Sequence, residues 1–119
     1  MIRVLIVDDE PEISGTLARA LAQYHCECFT VRTALGAMRA TKRDAFDAML
    51  LDINLGGGLS GIELARKVRR EYPKIRIIVF SALHHGPEIQ REIDALGAAF
   101  FEKPISAKTI YTALSSETI

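Results

Sequence analysis

Four short groups of polar residues stand directly behind apolar runs, and their types suit one kind of chemistry. In VLIVDDEPE, Asp8 and Asp9 follow the apolar run that starts at Val4, and Glu10 and Glu12 come next. Asp52 closes FDAMLLD, with Asn54 two residues on. Ser81 closes IRIIVFS, and Lys103 follows AAFFE and precedes Pro104. Crowded carboxylates repel: two unit charges about 5 Å apart, at an effective dielectric of about 20, oppose each other by roughly 3 kcal/mol. A chain that keeps such groups together has a use for a cation. Hard oxygen ligands suit Mg²⁺, which keeps several waters and takes only a few carboxylates. Asp8, Asp9, Asp52 and a backbone carbonyl near Asn54 would make such a partial shell. Mg²⁺ is the usual companion of phosphoryl transfer, and a carboxylate can act as its nucleophile, forming an aspartyl phosphate. Lys103 and the Ser81 hydroxyl would then hold phosphoryl oxygens.

For this to work, one fold must bring four distant segments to one edge. The pattern alternates short β-rich runs with helical ones. IRVLIV, ECFTV, FDAMLLD, IRIIVFSA and AAFF read as five strands. Between and after them come five helical patterns. The first has Pro11 at its start and Ile13, Leu17, Leu21 and Tyr24 at helical spacing. The second, TALGAMRATKR, is weakened by Gly36 and turns Leu35 and Met38 inward. The third, LSGIELARKVRREY, opens on a Ser60/Glu63 capping box, carries Leu64, Ala65, Val68 and Tyr72 on its apolar stripe and stops at Pro73. The fourth starts at Pro87, turns Ile89, Ile93 and Leu96 inward and ends at Gly97. The last is capped by Ser106, with Ile105 and Ile110 at the positions of a hydrophobic staple. Five strands alternating with five helices predict an α/β fold, a parallel sheet covered on both faces. In such sheets the ligand crevice lies outside the carboxyl ends of the strands, where Asp8, Asp9, Asp52, Ser81 and Lys103 would converge.

The chain has 119 residues, which predicts a single domain over residues 1–119. Acidic and basic residues number 15 each, a balance that argues against a nucleic-acid surface spread over the domain. No apolar run approaches the roughly 18 residues a membrane span needs, and MIRVLIVDDE lacks the pattern of a signal peptide. Cys26 and Cys28 are too close on one strand to bridge well and read as free thiols, which suits a reducing cytoplasm. His25 beside them has no second ligand cluster to complete a zinc site. The basic stretch from Arg66 to Arg76 reads as a solvated helix face with cations near a helix C-terminus. His84 and His85 read as solvated loop residues.

VDDE, LLDIN, FSA and EKP occur in this order at a spacing that resembles the receiver domains of bacterial two-component response regulators, from Val4 to about Leu114. The resemblance implies a doubly wound, flavodoxin-like fold with strand order 2-1-3-4-5. It implies that Asp52 is the phosphoacceptor, that Asp8 and Asp9 are the acidic pair for Mg²⁺ with Asp9 the more direct ligand, and that the Asn54 carbonyl completes the set. It implies that Ser81 is the hydroxyl that turns toward the phosphoryl group, that Lys103 pairs with that group, and that the bond before Pro104 is cis. Phe100 matches the aromatic switch position, and Leu83 a position that tunes dephosphorylation. A histidine kinase or phosphotransfer protein would be the phosphodonor. An output domain or partner protein would read the changed face formed by the fourth helix, fifth strand and fifth helix, which is also a candidate homodimer surface. Cytoplasmic location and no direct nucleic-acid or membrane binding follow in the same way.

This chain departs from the family in one loop. Where a proline usually follows the phosphoacceptor, it has Gly56, Gly57 and Gly58 and one extra residue before Gly61. Three glycines cost much entropy to order, so that loop is expected to be mobile and to leave the common receiver path. Three rival functions remain. An aspartate-based phosphatase would carry D-x-D on one strand, where this chain has D-I-N. A flavin-binding module would need a hydroxyl- and glycine-rich phosphate loop in place of DDEPEIS. A receiver-like module that binds partners without phosphorylation is the third.

Overall fold

A computed structural model describes residues 1–55, 60–82 and 85–115. Its elements run β1 (Ile2–Val7), α1 (Pro11–Ala22), β2 (Cys26–Val31), α2 (Ala34–Arg43), β3 (Ala48–Asp52), α3 (Gly61–Glu71), β4 (Arg76–Ser81), α4 (Pro87–Ala95), β5 (Ala99–Glu102) and α5 (Ala107–Ser115). The five strands form one parallel sheet in the order β2-β1-β3-β4-β5. The expectations for Gly56, Gly57 and Gly58 and for Leu83 and His84 lie outside the described residues. Among the described residues, no helix is long and apolar enough to cross a membrane.

The central strands are apolar throughout because both sides of the sheet are covered. Successive strand side chains point to opposite faces. Leu5, Val7, Met49, Leu51, Ile77 and Val79 therefore join one core with Ala37 of α2, Leu64, Ala65 and Val68 of α3 and Ile93 of α4. Val4, Ile6, Leu50, Ile78 and Phe80 join the other with Leu17 and Leu21 of α1 and Ile110 and Leu114 of α5. Phe100 and Phe101 split between these two cores in the same way. The register that results sets the functional edge. Val7 pairs with Leu51 and Ser81 with Glu102, so the residues that follow leave the sheet side by side.

Local signals account for most helix ends. Pro11 and Pro87 start α1 and α4. Ser60 and Glu63 form the complete reciprocal capping box of α3. Thr33 caps α2 by accepting from the Gly36 N–H at 3.0 Å. The Ser106 Oγ accepts from the Thr109 N–H at 3.1 Å. Gly97 follows α4 at φ +67°, a left-handed value that glycine adopts without steric cost. His25 takes φ +62° in the turn from α1 to β2, where it is exposed, and Cys26 and Cys28 are free strand thiols.

Several expectations are corrected. Leu35 is 55 % exposed; α2 buries Ala34, Ala37 and Ala40 instead, because α2 packs a small-residue face on the sheet and leaves Met38 at its margin. Ile13 is 37 % exposed, on the solvent side of α1. Tyr24 lies past the end of α1 and stacks on Tyr111 at 5.0 Å, tying that end to α5. β2 begins one residue early, at Cys26. Most important, Arg69 is not part of a solvated face. Its Nε donates to the Leu96 carbonyl at 2.9 Å, and its Nη1 donates to those of Pro73 (2.9 Å) and Ile75 (2.6 Å). One guanidinium thereby joins the end of α3, the entry to β4 and the end of α4, and burial lowers its pKa. Arg76 is likewise engaged, its Nη2 donating to the Ala113 carbonyl at 2.9 Å.

Replacing Arg69 by methionine keeps the aliphatic stem and removes all three bonds. The bonds to Leu96 and Ile75 are partly buried and the bond to Pro73 is exposed; each buried acceptor left unpaired costs about 1–3 kcal/mol, so Arg69→Met should lower unfolding stability by at least about 1 kcal/mol in urea titration. A change within about 0.5 kcal/mol, the range of ordinary surface substitutions, would show the three bonds to be replaceable by water.

Candidate functional site

Asp8 leaves β1 with its own N–H donating to the Val31 carbonyl at 3.1 Å, which continues the ladder to β2. Its side chain is fully buried. Oδ1 accepts from the Glu10 N–H at 2.9 Å, and Oδ2 accepts from Lys103 Nζ at 3.0 Å. Asp52 ends β3 and is also buried, with Oδ1 accepting from the Asn54 N–H at 2.9 Å and Oδ2 from Lys103 Nζ at 2.8 Å. Lys103 reaches them because its N–H donates to the Ser81 carbonyl at 2.9 Å, which carries the β4–β5 pairing one step beyond the strands. Its Nζ also stands 3.4 Å from Glu10 Oε1 and 4.9 Å from the Phe80 ring centre. The Lys103–Pro104 bond is cis.

The arrangement is short of positive charge. One carboxylate oxygen from each of Asp8, Asp9, Glu10 and Asp52 lies within 4.8 Å of the other three. Among the described residues, Lys103 pairs with three of the four, Asp8, Glu10 and Asp52. Burial pushes the Lys103 ammonium toward losing its proton, but the hydrogen bonds and charges of Asp52 and Asp8 outweigh it and hold the pKa above the ordinary lysine range. Burial raises the Asp8 pKa, against the opposing bonds from the Glu10 N–H and Lys103. The donor set is all oxygen and net negative, which fits a hard divalent cation.

The structure thus brings together Asp8, Asp9, Asp52 and Lys103. Ser81, at the buried end of β4, lies next to them, its Oγ accepting from Asn54 Nδ2 at 2.8 Å. Phe100 stands apart, among the partly buried residues on the face covered by α2, α3 and α4. Three contributions escaped the sequence analysis. Glu10 joins the carboxylate group; its place directly after Asp8 and Asp9 was the available signal. The Asn54 side chain, and not only its backbone, meets Ser81. Gly61 is the third: a Cβ there would stand 2.3 Å from the Asp52 carbonyl oxygen and 2.7 Å from the Ile53 Cα. The first turn of α3 lies directly against the backbone of Asp52 and Ile53, and the Gly61 N–H donates to the Ile53 carbonyl at 3.1 Å. His85 corrects an expectation as well. It is half-buried rather than solvated, and packs edge-to-face on Phe100 with ring centres 4.4 Å apart.

Comparison with known proteins gives a consistent picture. A family model described as the response regulator receiver domain matches residues 4–115. The nitrogen assimilation regulatory protein NtrX of Azorhizobium caulinodans is 38% identical over 108 residues, which are 87% of this chain and 23% of that protein. The chain spans less than half the length of the curated relatives it matches, from 23% of NtrX to 48% of the heme response regulator HssR of Staphylococcus aureus. Among solved structures, the chemotaxis protein CheY4 of Vibrio cholerae superposes with a TM-score of 0.85 at 26% identity, covering 96% of each chain. A Burkholderia pseudomallei response regulator, solved with a phosphorylated aspartic acid and a calcium ion, superposes with a TM-score of 0.87 at 24% identity, over 98% of this chain and 68% of that one.

Gly61→Ala must push α3 away from the Asp52 backbone, and overpacking of this kind costs about 1–3 kcal/mol; urea unfolding of the variant measures it, and wild-type stability would contradict the close approach. The raised Asp8 pKa means that the folded protein holds this proton more tightly than the unfolded chain. Asp8 therefore erodes stability as pH rises above the ordinary aspartate range, from about pH 4 upward. In chelator, Asp8→Asn should unfold at higher urea than wild type at pH 7, with the gap closing toward pH 4; a gap independent of pH would refute this.

Proposed function

The chain belongs to the response regulator receiver domain family, and from that premise we propose that it is a phosphorylation-dependent signalling switch whose phosphoacceptor is Asp52. Receiver domains are signalling domains and not enzymes acting on a separate substrate. The observation that carries the assignment is the placement of Lys103 Nζ, 2.8 Å from Asp52 and 3.0 Å from Asp8, at the carboxyl edge of the sheet. An ammonium there meets the phosphoacceptor before transfer and a phosphoryl oxygen after it.

In the transfer, a carboxylate oxygen of Asp52 bonds to the phosphorus of a phosphohistidine. The donor's N–P bond breaks, and its electron pair stays on the imidazole nitrogen. The phosphodonor in this reading is a histidine kinase or a phosphotransfer protein. Asp8, Asp9 and Asp52, with the Asn54 carbonyl, would hold Mg²⁺, which when bound supplies the positive charge that four crowded carboxylates lack. Asp8, whose Oδ2 accepts from Lys103 Nζ at 3.0 Å, keeps the ammonium aligned. The product carries about −1.5 to −2 charges and strong acceptor oxygens. Lys103 moves its bond from carboxylate to phosphoryl oxygen, and the Ser81 hydroxyl turns from Asn54 toward the same group. Phe100 then fills the space Ser81 leaves, and the face of α4, β5 and α5 changes for an output domain, a partner protein or a second copy. Phe100 lacks a phenolic hydroxyl, so packing alone holds its switched position. Residues 1–119 act in this reading as a single cytoplasmic receiver unit that binds neither membrane nor nucleic acid directly.

The test is intact mass after incubation with Mg²⁺ and a small acyl-phosphate donor. A gain of one phosphoryl group is expected, lost in Asp52→Asn and lost in chelator. Gain in Asp52→Asn at the wild-type level would remove Asp52 from its role. Added Mg²⁺ should also raise the melting temperature of wild type, since a ligand bound to the folded state at 100 times its Kd adds about 2.7 kcal/mol; Asp9→Asn should lose that rise, and retaining it would exclude Asp9 as a ligand. Phe100→Ala should take up phosphate normally yet lose phosphorylation-dependent partner binding or self-association; unchanged dependence would remove Phe100 from the switch.

A further inference from the structure

We propose that His85 is the positioning residue that couples Phe100 to helix α4; the inference rests on the switch reading above and names its output link. His85 sits between the end of β4 and the start of α4. Its ring meets Phe100 of β5 at 4.4 Å between centres and an interplanar angle of 80°. On its other side, Nε2 lies 2.7 Å from Gln90 Oε1 in the first turns of α4. Gln90 is held in turn, its Nε2 donating to Asp94 Oδ1 one helical turn on at 2.9 Å. That second bond fixes the amide orientation: its nitrogen faces Asp94, so its oxygen faces the imidazole and accepts from Nε2–H. His85 Nδ1, an acceptor in the neutral ring, is buried with no hydrogen-bond partner among the described residues.

This combination gives the contact a direction. A buried acceptor without a partner favours any arrangement that returns it to water. The ring stays inside because Phe100 lies against it and Gln90 holds it. Aromatic pairs of this edge-to-face kind contribute beyond their buried area. When Phe100 turns toward the space beside Ser81, His85 loses that neighbour, and hydration of Nδ1 then favours its departure. Gln90 is bonded to the ring, so the departing ring moves or releases the N-terminal turns of α4. A rotation in β5 becomes a displacement of α4 through one imidazole. Phe100, His85, Gln90 and Asp94 are the chain of contacts, and His85 is the member that touches both elements.

The experiment uses amide NMR on the full chain, with beryllofluoride and Mg²⁺ as the stable probe of the phosphorylated site. In wild type, amides of Asp52 and Ile53 and amides of α4 should shift together. In His85→Ala and in Gln90→Met the Asp52 and Ile53 shifts should persist. The α4 shifts should shrink at least about threefold, the scale of a contact coupling energy. His85→Phe keeps the contact with Phe100 and loses the bond to Gln90, so it should behave as Gln90→Met does. Wild-type α4 shifts in both Gln90→Met and His85→Phe would overturn the coupling role, leaving His85 as packing. Gln90 lies partly exposed on the helix surface, so its variant tests the link even where His85→Ala fails to fold. Absence of any shift at Asp52 and Ile53 in wild type would instead sink the switch reading, and this inference with it.

Discussion

Lys103 is bonded to Asp52 at 2.8 Å and to Asp8 at 3.0 Å, with both carboxylates withdrawn from solvent. Both carboxylates share the one ammonium, and an isolated buried charge is among the costliest things a protein can hold. The same ammonium cannot neutralise four carboxylates, and the surplus charge leaves the site ready for a divalent cation. Attraction to Lys103 and repulsion among the acids are therefore one arrangement seen from two sides. Much of the remaining architecture can be understood as what keeps Lys103 at this point. The β4–β5 pairing continues through its own N–H, Phe80 lies beneath its ammonium, and Asp8 is locked by the Glu10 N–H.

The sheet supplies the rigidity that such a site needs. Asp8 and Asp52 come from adjacent central strands whose side chains are buried on both faces, so their positions are set by two packed cores and not by loops. Gly61 lets α3 close directly against the backbone of Asp52. Arg69 joins the ends of α3 and α4 to the start of β4 through three carbonyls, at the edge of the molecule opposite the carboxylates. α4 is thus fixed at its C-terminal end by Arg69 and held at its N-terminal end by softer side-chain contacts through His85 and Gln90. In the proposed switch, a helix held in this uneven way would shift at one end while the core stays packed.

The architecture and the reactive residue types are legible in short stretches of the chain. Strand runs, proline starts, the Ser60/Glu63 box and Gly97 are local signals, and local backbone chemistry decides element type and ends. The strand-end rule for parallel sheets then brings Asp8, Asp9, Asp52, Ser81 and Lys103 to one edge, and the structure does gather them there. The tertiary structure decided what depends on which side chains meet. Leu35 and Ile13 sit at helical spacing yet face solvent, because α2 and α1 offer other faces to the sheet. Arg69 reads as one cation in a basic run, and its three partners lie just past α4 and in the turn before β4. Nothing local marks Gly61 as a point of backbone contact or His85 as a neighbour of Phe100, since those partners come from separate elements. Periodicity reports which residues can be buried; only packing in three dimensions decides which are, and against what.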